Sequence, residues 1–258
     1  MRIPDYQPID VSKGKVNISP SGLYTYFNNS GLWYRRNILK TDRLKPNTNL
    51  VFGSIVHSLF EAEYQNQEVS IADVDDYLER GNYGDTVDSW YINNNFEEAK
   101  EVVKEFLKDR PKPDKFEEQV LFEPISGYTI GGTFDGIYGS TIFDIKTTTS
   151  NSSSMKLHHK YQMMCYVFAL EANGYEKFET IEIIQFVKGD SVGKISEKTG
   201  KIIGVKKPTI SVLIEPITDE LRQEVKMYLK ELITLLKATD EIDYKLLFRD
   251  NPLDFMSN

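Results

Sequence analysis

The sequence has a single cysteine, Cys165, among its 258 residues, and this scarcity excludes several kinds of site. One thiol forms no intramolecular disulfide and holds no multi-cysteine metal cluster. Long apolar runs are also missing, because the longest, Met163 to Leu170, is far shorter than the roughly 20 residues that cross a bilayer. The first residues, MRIPDYQPID, lack the basic and then apolar segments of a secretory signal. We therefore expect a cytoplasmic protein with no membrane partner.

An excess of positive charge is absent as well. The chain has 31 Lys and Arg against 39 Asp and Glu, which gives a formal net charge of −8. This balance argues against a protein that coats nucleic acid through bulk charge, although it allows an enzyme with one local basic groove. The 40% hydrophobic and 27% charged residues are typical of a soluble globular protein. We expect a single domain over residues 1–258, mainly helical over 1–110, with a sheet core and a C-terminal helix over 111–258.

Hydrophobic periodicity changes along the chain from helical to extended and back. Helical spacing and cap residues predict helices over 51–64, 96–107 and 218–237, and one from the polar loop 150–154 to about residue 173. Alternation predicts strands at 119–124, 128–138, 141–146, 180–188 and 209–215. This order predicts an α/β fold with a mixed central β-sheet flanked by helices and an N-terminal helical extension.

Asp144 and Lys146 lie two residues apart on one predicted strand. Their side chains therefore share a face and project together. A carboxylate there can hold a divalent cation, while the ammonium group stabilises negative charge that develops on a phosphate. The alternative is an ion pair at a solvated strand end.

Asp135 precedes Asp144 by nine residues, and its place depends on where the chain turns. Asp135-Gly136 is itself a favourable turn dipeptide and could be the tip of a hairpin. Gly139-Ser140 also supplies a turn and leaves two strands of matched length. We therefore expect both aspartates near one edge of the sheet.

Two predicted helices carry further polar side chains. His57 offers an imidazole, which is a common metal ligand when neutral, although a lone helical histidine is often packed or exposed. Gln162 and Tyr166 are four residues apart on one helix face and can contact phosphate or a base. The alternative for this pair is the polar edge of a core helix.

These signals occur in chain order as GSIVH, EEQVLF, GTFD, DIKTT and QMMCY. Their order and spacing resemble the RecB-like branch of the PD-(D/E)XK nuclease superfamily, which includes RecB-type nuclease domains, RecE-like exonucleases and phage recombination exonucleases. The segment SPSGLYTYFNNSGLWYRR is similar to the one that opens many RecB-like nucleases. The resemblance covers residues 18–188 and implies a restriction-endonuclease-like PD-(D/E)XK core.

The resemblance also implies a set of site residues. The catalytic residues that it implies are Glu118, Asp135, Asp144 and Lys146. The metal ligands that it implies are His57, Asp135, Asp144 and the carbonyl group of Ile145. Glu117 is adjacent to Glu118, and the sequence alone does not separate the two. The DNA-binding residues that we expect are Gln162, Tyr166, Arg35, Arg36 and Lys160.

The function that follows is that of a DNA exonuclease that hydrolyses phosphodiester bonds with Mg²⁺ or Mn²⁺, in phage-type recombination or DNA processing. We expect no iron–sulfur cluster, because Cys165 is the only thiol. A structure-specific endonuclease on the same fold and a non-catalytic nucleic-acid-binding or interaction module are the alternatives. DNA is the expected partner, together with further copies of the chain in a homo-oligomer and a single-strand annealing protein.

Overall fold

Helices precede, interrupt and follow a central sheet in the computed structural model, which describes residues 1–3, 16–42, 45–190, 193–195, 202–239 and 247. A 3₁₀ turn at Pro20–Gly22 and a π-helical turn at Arg35–Leu39 accompany the first two helices. The helices are α1 (Leu23–Asn28), α2 (Ser30–Tyr34), α3 (Thr48–Gln65), α4 (Ile71–Gly81), α5 (Ser89–Leu107), α6 (Leu157–Ala172) and α7 (Asp219–Ala238).

Side-chain caps fix where several of these helices begin. Asn47, Asp88 and Thr218 each accept a hydrogen bond from a backbone N–H in the first turn of α3, α5 and α7. Ser70 and Asp73 form a reciprocal capping box at the start of α4. Each such cap contributes about 1 kcal/mol to helix stability.

The described strands form one mixed sheet of six strands and a separate short hairpin. The strands are β1 (Val16–Ile18), β2 (Lys115–Ile125), β3 (Tyr128–Tyr138), β4 (Thr141–Thr148), β5 (Thr180–Val187), β6 (Lys194–Ile195), β7 (Ile202–Ile203) and β8 (Thr209–Pro216). β6 pairs with β7 in the hairpin. In the main sheet, β4 and β5 are parallel and are joined through α6, while β8 runs antiparallel to β5.

β3 is the strand that opens the sheet. Antiparallel β2 pairs along one edge of β3. Its other edge is shared by parallel β1, which covers residues 128–130, and by antiparallel β4, which covers residues 136–138. Within the described chain, neither strand covers residues 131–135 of that edge. The sheet therefore forks where β3 and β4 diverge.

Two apolar layers cover the two faces of the sheet. One lies against α6, α7 and the N-terminal helices, and residues 161–170 of α6 are buried on every side. The other lies against α3, α4 and α5 and includes Phe143, Ile145, Ile184 and Phe186 of the parallel strands. A helix that is apolar all round belongs inside a fold, which explains why α6 is central.

The structure confirms the predicted α/β fold with its mixed sheet and N-terminal helical part. The predicted strands and helices correspond to β2–β5, β8, α3, α5, α6 and α7, with ends that differ by a few residues. The short strand β1 and the polar helix α4 were not predicted. A single domain over residues 1–258 stays a prediction. None of the helices in the described ranges is long and apolar enough to cross a membrane.

Candidate active site

Three carboxylates lie at the same level on three neighbouring strands. In the register of β2 and β3, the residue pairs on either side of Glu117 and Asp135 place these two residues opposite each other. The last pair of the β3–β4 register places Asp135 opposite Asp144. Each carboxylate thus comes from a different strand at the fork of the sheet.

Asp135 occupies the fork itself. Its Oδ2 atom accepts a hydrogen bond from the Ile145 backbone N–H at 2.5 Å, in place of the ladder bond that ends here. The next residue, Gly136, lies within β3 and pairs with Phe143, and a Cβ atom there would lie 2.2 Å from the Phe143 ring. The turn lies instead at Gly139, with φ of 52°. The turn alternative for Asp135-Gly136 is therefore wrong.

Glu117 joins the site, whereas Glu118 points elsewhere. The Glu117 backbone has φ of 52°, a left-handed conformation that costs about 1 kcal/mol or more in a non-glycine residue. Its Oε1 atom lies 3.0 Å from His57 Nδ1. The Glu118 side chain is 43% exposed and forms an ion pair with Lys115 at 3.0 Å. The structure therefore places Glu117 beside His57 and Asp135 and Glu118 away from them, while the role of either glutamate in the reaction stays a prediction.

His57 links α3 to the fork through both ring nitrogens. Nε2 lies 3.0 Å from the carbonyl oxygen of Ile145, and Nδ1 lies 3.7 Å from Asp135 Oδ2 in addition to its contact with Glu117. Burial alone would lower the pKa of His57, but Asp135, Glu117 and Asp144 outweigh it and raise the pKa to about 9. Both nitrogens therefore carry a proton at neutral pH in the metal-free protein.

Asp144 and Lys146 form an ion pair beside this cluster. Lys146 Nζ donates to Asp144 Oδ1 at 3.1 Å and lies 2.9 Å from Oδ2. Burial raises the pKa of Asp144 to about 6, although Lys146 acts in the opposite direction. Burial lowers the pKa of Lys146, but the charges of Asp144 and Asp135 outweigh it, so the net direction is upward. The Asp144 side chain is buried, with 5% exposed, and that of Lys146 is 28% exposed, so only the lysine end of the pair meets solvent.

The comparisons with known proteins decide the family. Residues 17–245 match the PD-(D/E)XK nuclease superfamily. The chain belongs to this superfamily. None of the curated proteins matches it. Membership agrees with the arrangement of two aspartates, a glutamate and a lysine on neighbouring strands at the fork of the sheet.

Solved structures of nuclease-like proteins resemble this PD-(D/E)XK chain. The crystal structure of a "Putative exonuclease" from Eubacterium rectale has a TM-score of 0.59 at 16% sequence identity, over 92% of this chain and 89% of that chain. The alkaline exonuclease LHK-Exo from Laribacter hongkongensis has a TM-score of 0.33 at 12% identity, over 77% of this chain and 100% of that chain. At such low identity, the first likeness shows the fold alone.

PD-(D/E)XK nucleases use divalent metal ions, and the residues at the fork fit such an ion. His57, Glu117 and Asp135 each offer a ligand atom, and these atoms all lie within 4.8 Å of one another. Asp144 Oδ2 is buried and accepts no hydrogen bond of normal geometry from the described residues. Carboxylate oxygens and an imidazole nitrogen are suitable ligands for Mn²⁺, and the carboxylates suit Mg²⁺.

The side chains of Gln162 and Tyr166 extend from α6 toward the fork of the sheet. Gln162 Nε2 donates to Asp144 Oδ1 at 3.0 Å. The Tyr166 hydroxyl bonds with Gln162 and lies near Gly132, where a Cβ atom would come within 3.0 Å of it. Both side chains are buried, with 6% and 3% exposed. This geometry favours a role in positioning Asp144, and contact with DNA stays a prediction.

Two of the three basic residues expected to bind DNA already have acidic partners. Arg35 donates to Asp42 at 3.0 Å, and Lys160 pairs with Glu215 at 3.1 Å. Arg36 is half-buried on the π-helical turn that follows α2. Their contact with DNA stays a prediction as well.

Gln185 is a positioning residue that the sequence analysis missed. It pairs with Lys146 in the β4–β5 register and is 3% exposed. Its side chain accepts from Ser152 N at 2.9 Å and donates to Ser152 O at 3.1 Å. This amide pairing fixes the loop after β4 against the sheet. A glutamine among the apolar residues Ile183, Ile184, Phe186 and Val187 was the available signal.

Proposed function

We propose that this chain is a Mg²⁺- or Mn²⁺-dependent deoxyribonuclease that removes nucleotides from DNA ends. The observation that supports the proposal is the convergence of Glu117, Asp135 and Asp144 from three strands with His57 and Lys146 at one fork of the sheet. A binding module without a metal ion has no need of such buried carboxylates. Burial raises the pKa values of Asp135 and Asp144, and groups with perturbed pKa values cluster at functional sites.

The residues divide the chemistry of phosphodiester hydrolysis among them. His57, Glu117, Asp135 and Asp144 would hold the ion, with the Ile145 carbonyl as a further ligand. When bound, the ion supplies positive charge that polarises phosphate oxygens and lowers the pKa of water. Lys146 places an ammonium group where negative charge grows on the phosphate.

Binding of the ion requires His57 to lose a proton and leaves Lys146 protonated. Metal ions bind deprotonated ligands, so His57 must release the proton that Glu117 and Asp135 hold on Nδ1. The positive charge of the ion would then replace that of the imidazolium beside the carboxylates. Lys146 keeps its proton because Asp144 lies beside it.

The preference for ends rests on how the described residues are used. The sheet, its flanking helices and the site account for most of them. Few of the described residues remain to recognise a base sequence in the major groove, so we propose that another restriction protects intact DNA. The requirement for an end is such a restriction. The exonuclease name of the Eubacterium rectale protein agrees with it.

We also propose a branch of the superfamily, a cellular role and partners for this chain. The order of the five sequence motifs favours the RecB-like branch and, with it, a cytoplasmic role in phage-type recombination or DNA processing. A homo-oligomer and a single-strand annealing partner rest on the same resemblance.

Digestion of linear DNA tests the proposal. We expect the wild-type protein to release nucleotides from end-labelled single- or double-stranded DNA with Mg²⁺ or Mn²⁺ and to stop when a chelator is added. Glu117→Gln should lose this activity, while its neighbour Glu118→Gln, the matched control, should keep it. A wild-type protein that releases nothing with either ion would contradict the proposal and favour the non-catalytic binding module.

A further inference from the structure

A polar cleft lies next to Lys146 at the C-terminal ends of β4 and β5. Its volume is about 310 Å³, which is at the lower end of the range for ligand pockets. The groups relevant here are Thr147 at its base, His159 on its wall, and Lys156 and Lys188. None of these residues belongs to the carboxylate cluster.

The cleft has the features of a phosphate site. Lys156 is the N-cap residue of α6 and its side chain makes no capping hydrogen bond, so the N-terminus of this 16-residue helix has no side-chain cap. Lys188 is held by the side chain of Asn49 and lies 5.9 Å from the centre of the Tyr91 ring. Two ammonium groups and a helix N-terminus thus share one cleft.

A series of aromatic rings leads from the protein surface to the wall of this cleft. The ring of Tyr24 lies 4.7 Å from that of His158, and His158 lies 4.3 Å from His159, both edge to face. Tyr24 is 55% exposed, so the outermost ring of the series is open to solvent.

The two histidines are neutral, and they lie close to the catalytic lysine. Burial, followed by the charges of Lys156 and Lys146, lowers the pKa of His158 to about 4. Burial, His158 and the same two lysines lower the pKa of His159 to about 3. Neutral rings beside a basic cleft suit the stacking of unpaired bases.

We propose that this cleft and the Tyr24–His158 ring pair together bind a single-stranded segment of the nucleic acid next to the bond that is cut. A backbone phosphate would lie between Lys156 and Lys188, and a base would stack on Tyr24. The cleft is too small for a duplex, and the ring pair can stack only on a base whose face is free. This inference rests on the proposed nuclease function, since it assigns the strand form at the same site.

Binding without metal ion tests this inference separately from cleavage. The probe is a short fluorescein-labelled oligothymidine, and the measurement is its fluorescence anisotropy in chelator over a range of salt concentrations. The variants are Tyr24→Ala, Tyr24→Phe and Lys156→Ala. The matched control is Lys108→Ala, an exposed lysine beyond α5 at the opposite end of the sheet.

Each variant has its own expected signature. Tyr24→Ala should weaken binding about tenfold with an unchanged salt dependence, and Tyr24→Phe should restore the affinity, because stacking needs the ring alone. Lys156→Ala should weaken binding and reduce the slope of log affinity against log salt by about 0.7, the value for one contact with a single-strand phosphate. Lys108→Ala should change neither quantity.

Two results would overturn the inference. One is a Tyr24→Ala protein that binds the oligothymidine as tightly as the wild type. The other is a Lys156→Ala protein with an unchanged salt slope. If these variants bind normally while the wild type digests DNA with metal, the inference fails and the proposed function stands. If the signatures appear but no metal supports cleavage, the binding site stands and the proposed function fails.

Discussion

Replacing Glu117 by glutamine should lower the pKa of His57, while the same change at Glu118 should not. In the folded protein, His57 Nδ1 bonds to Glu117 Oε1 at 3.0 Å, and the pKa of His57 is about 9. The glutamine keeps the size of the side chain and removes its negative charge. Glu118, bonded to Lys115, serves as the matched control one residue away.

The magnitude follows from the contact. A hydrogen bond between charged groups contributes about 1.5–3 kcal/mol, and 1.36 kcal/mol corresponds to one pH unit in a pKa. Loss of the Glu117 charge should therefore lower the pKa of His57 by about one to two pH units. Asp135, at 3.7 Å from Nδ1, should retain the remainder of the upward shift.

Imidazole resonances in NMR spectra provide the assay. The chain has only three histidines, and the pKa values of His158 and His159, about 4 and about 3, are well separated from that of His57. A titration of the metal-free protein thus assigns the highest midpoint to His57. The reasoning is refuted if the Glu117→Gln protein still titrates near pH 9, or if Glu118→Gln shifts the midpoint as much.

Three further outcomes follow from the same geometry. Lys146→Ala should reduce the rate of DNA cleavage about a hundredfold or more without loss of folding, and near wild-type cleavage would refute its catalytic role. The metal-free protein should lose stability as pH rises, first through about 6 and then through about 9, because the raised pKa values of Asp144 and His57 favour the protonated forms in the folded state. Mn²⁺ binds the deprotonated forms, so it should raise the melting temperature more at high pH than at low pH. The increase should be smaller in His57→Ala. A shift that is larger at low pH would contradict this sign. Gln162→Leu should raise the pKa of Asp144 by removing a donor at 3.0 Å, so the acidic limb of the pH–rate profile should move to higher pH, and an unmoved limb would refute the positioning role of Gln162.

Periodicity and caps were sufficient to predict the main elements of the fold. α7 illustrates this, because Thr218 caps it and a stripe that includes Val225, Leu229, Leu232 and Leu236 faces the core. α4 was missed because it is mostly polar, although the Ser70–Asp73 capping box marks its start. β1 has only three residues, and its pairing with β3 across more than a hundred positions leaves no local pattern.

The site was predictable in outline, but its glutamate was not. The order of the motifs brought His57, Asp135, Asp144 and Lys146 together, as the structure does. Alternation along β2 cannot choose between adjacent glutamates, because the left-handed backbone at Glu117 changes the direction of its side chain. The contact of Glu117 with His57, which lies 60 residues away in the sequence, leaves no local pattern either.

The most direct test of the central proposal compares linear DNA with covalently closed circular DNA of the same sequence under one set of Mg²⁺ or Mn²⁺ conditions. We expect the wild-type protein to degrade the linear form progressively and to leave the unnicked circle intact, with Glu117→Gln inactive on both. Comparable degradation of the closed circle would contradict the requirement for an end and would favour the structure-specific endonuclease.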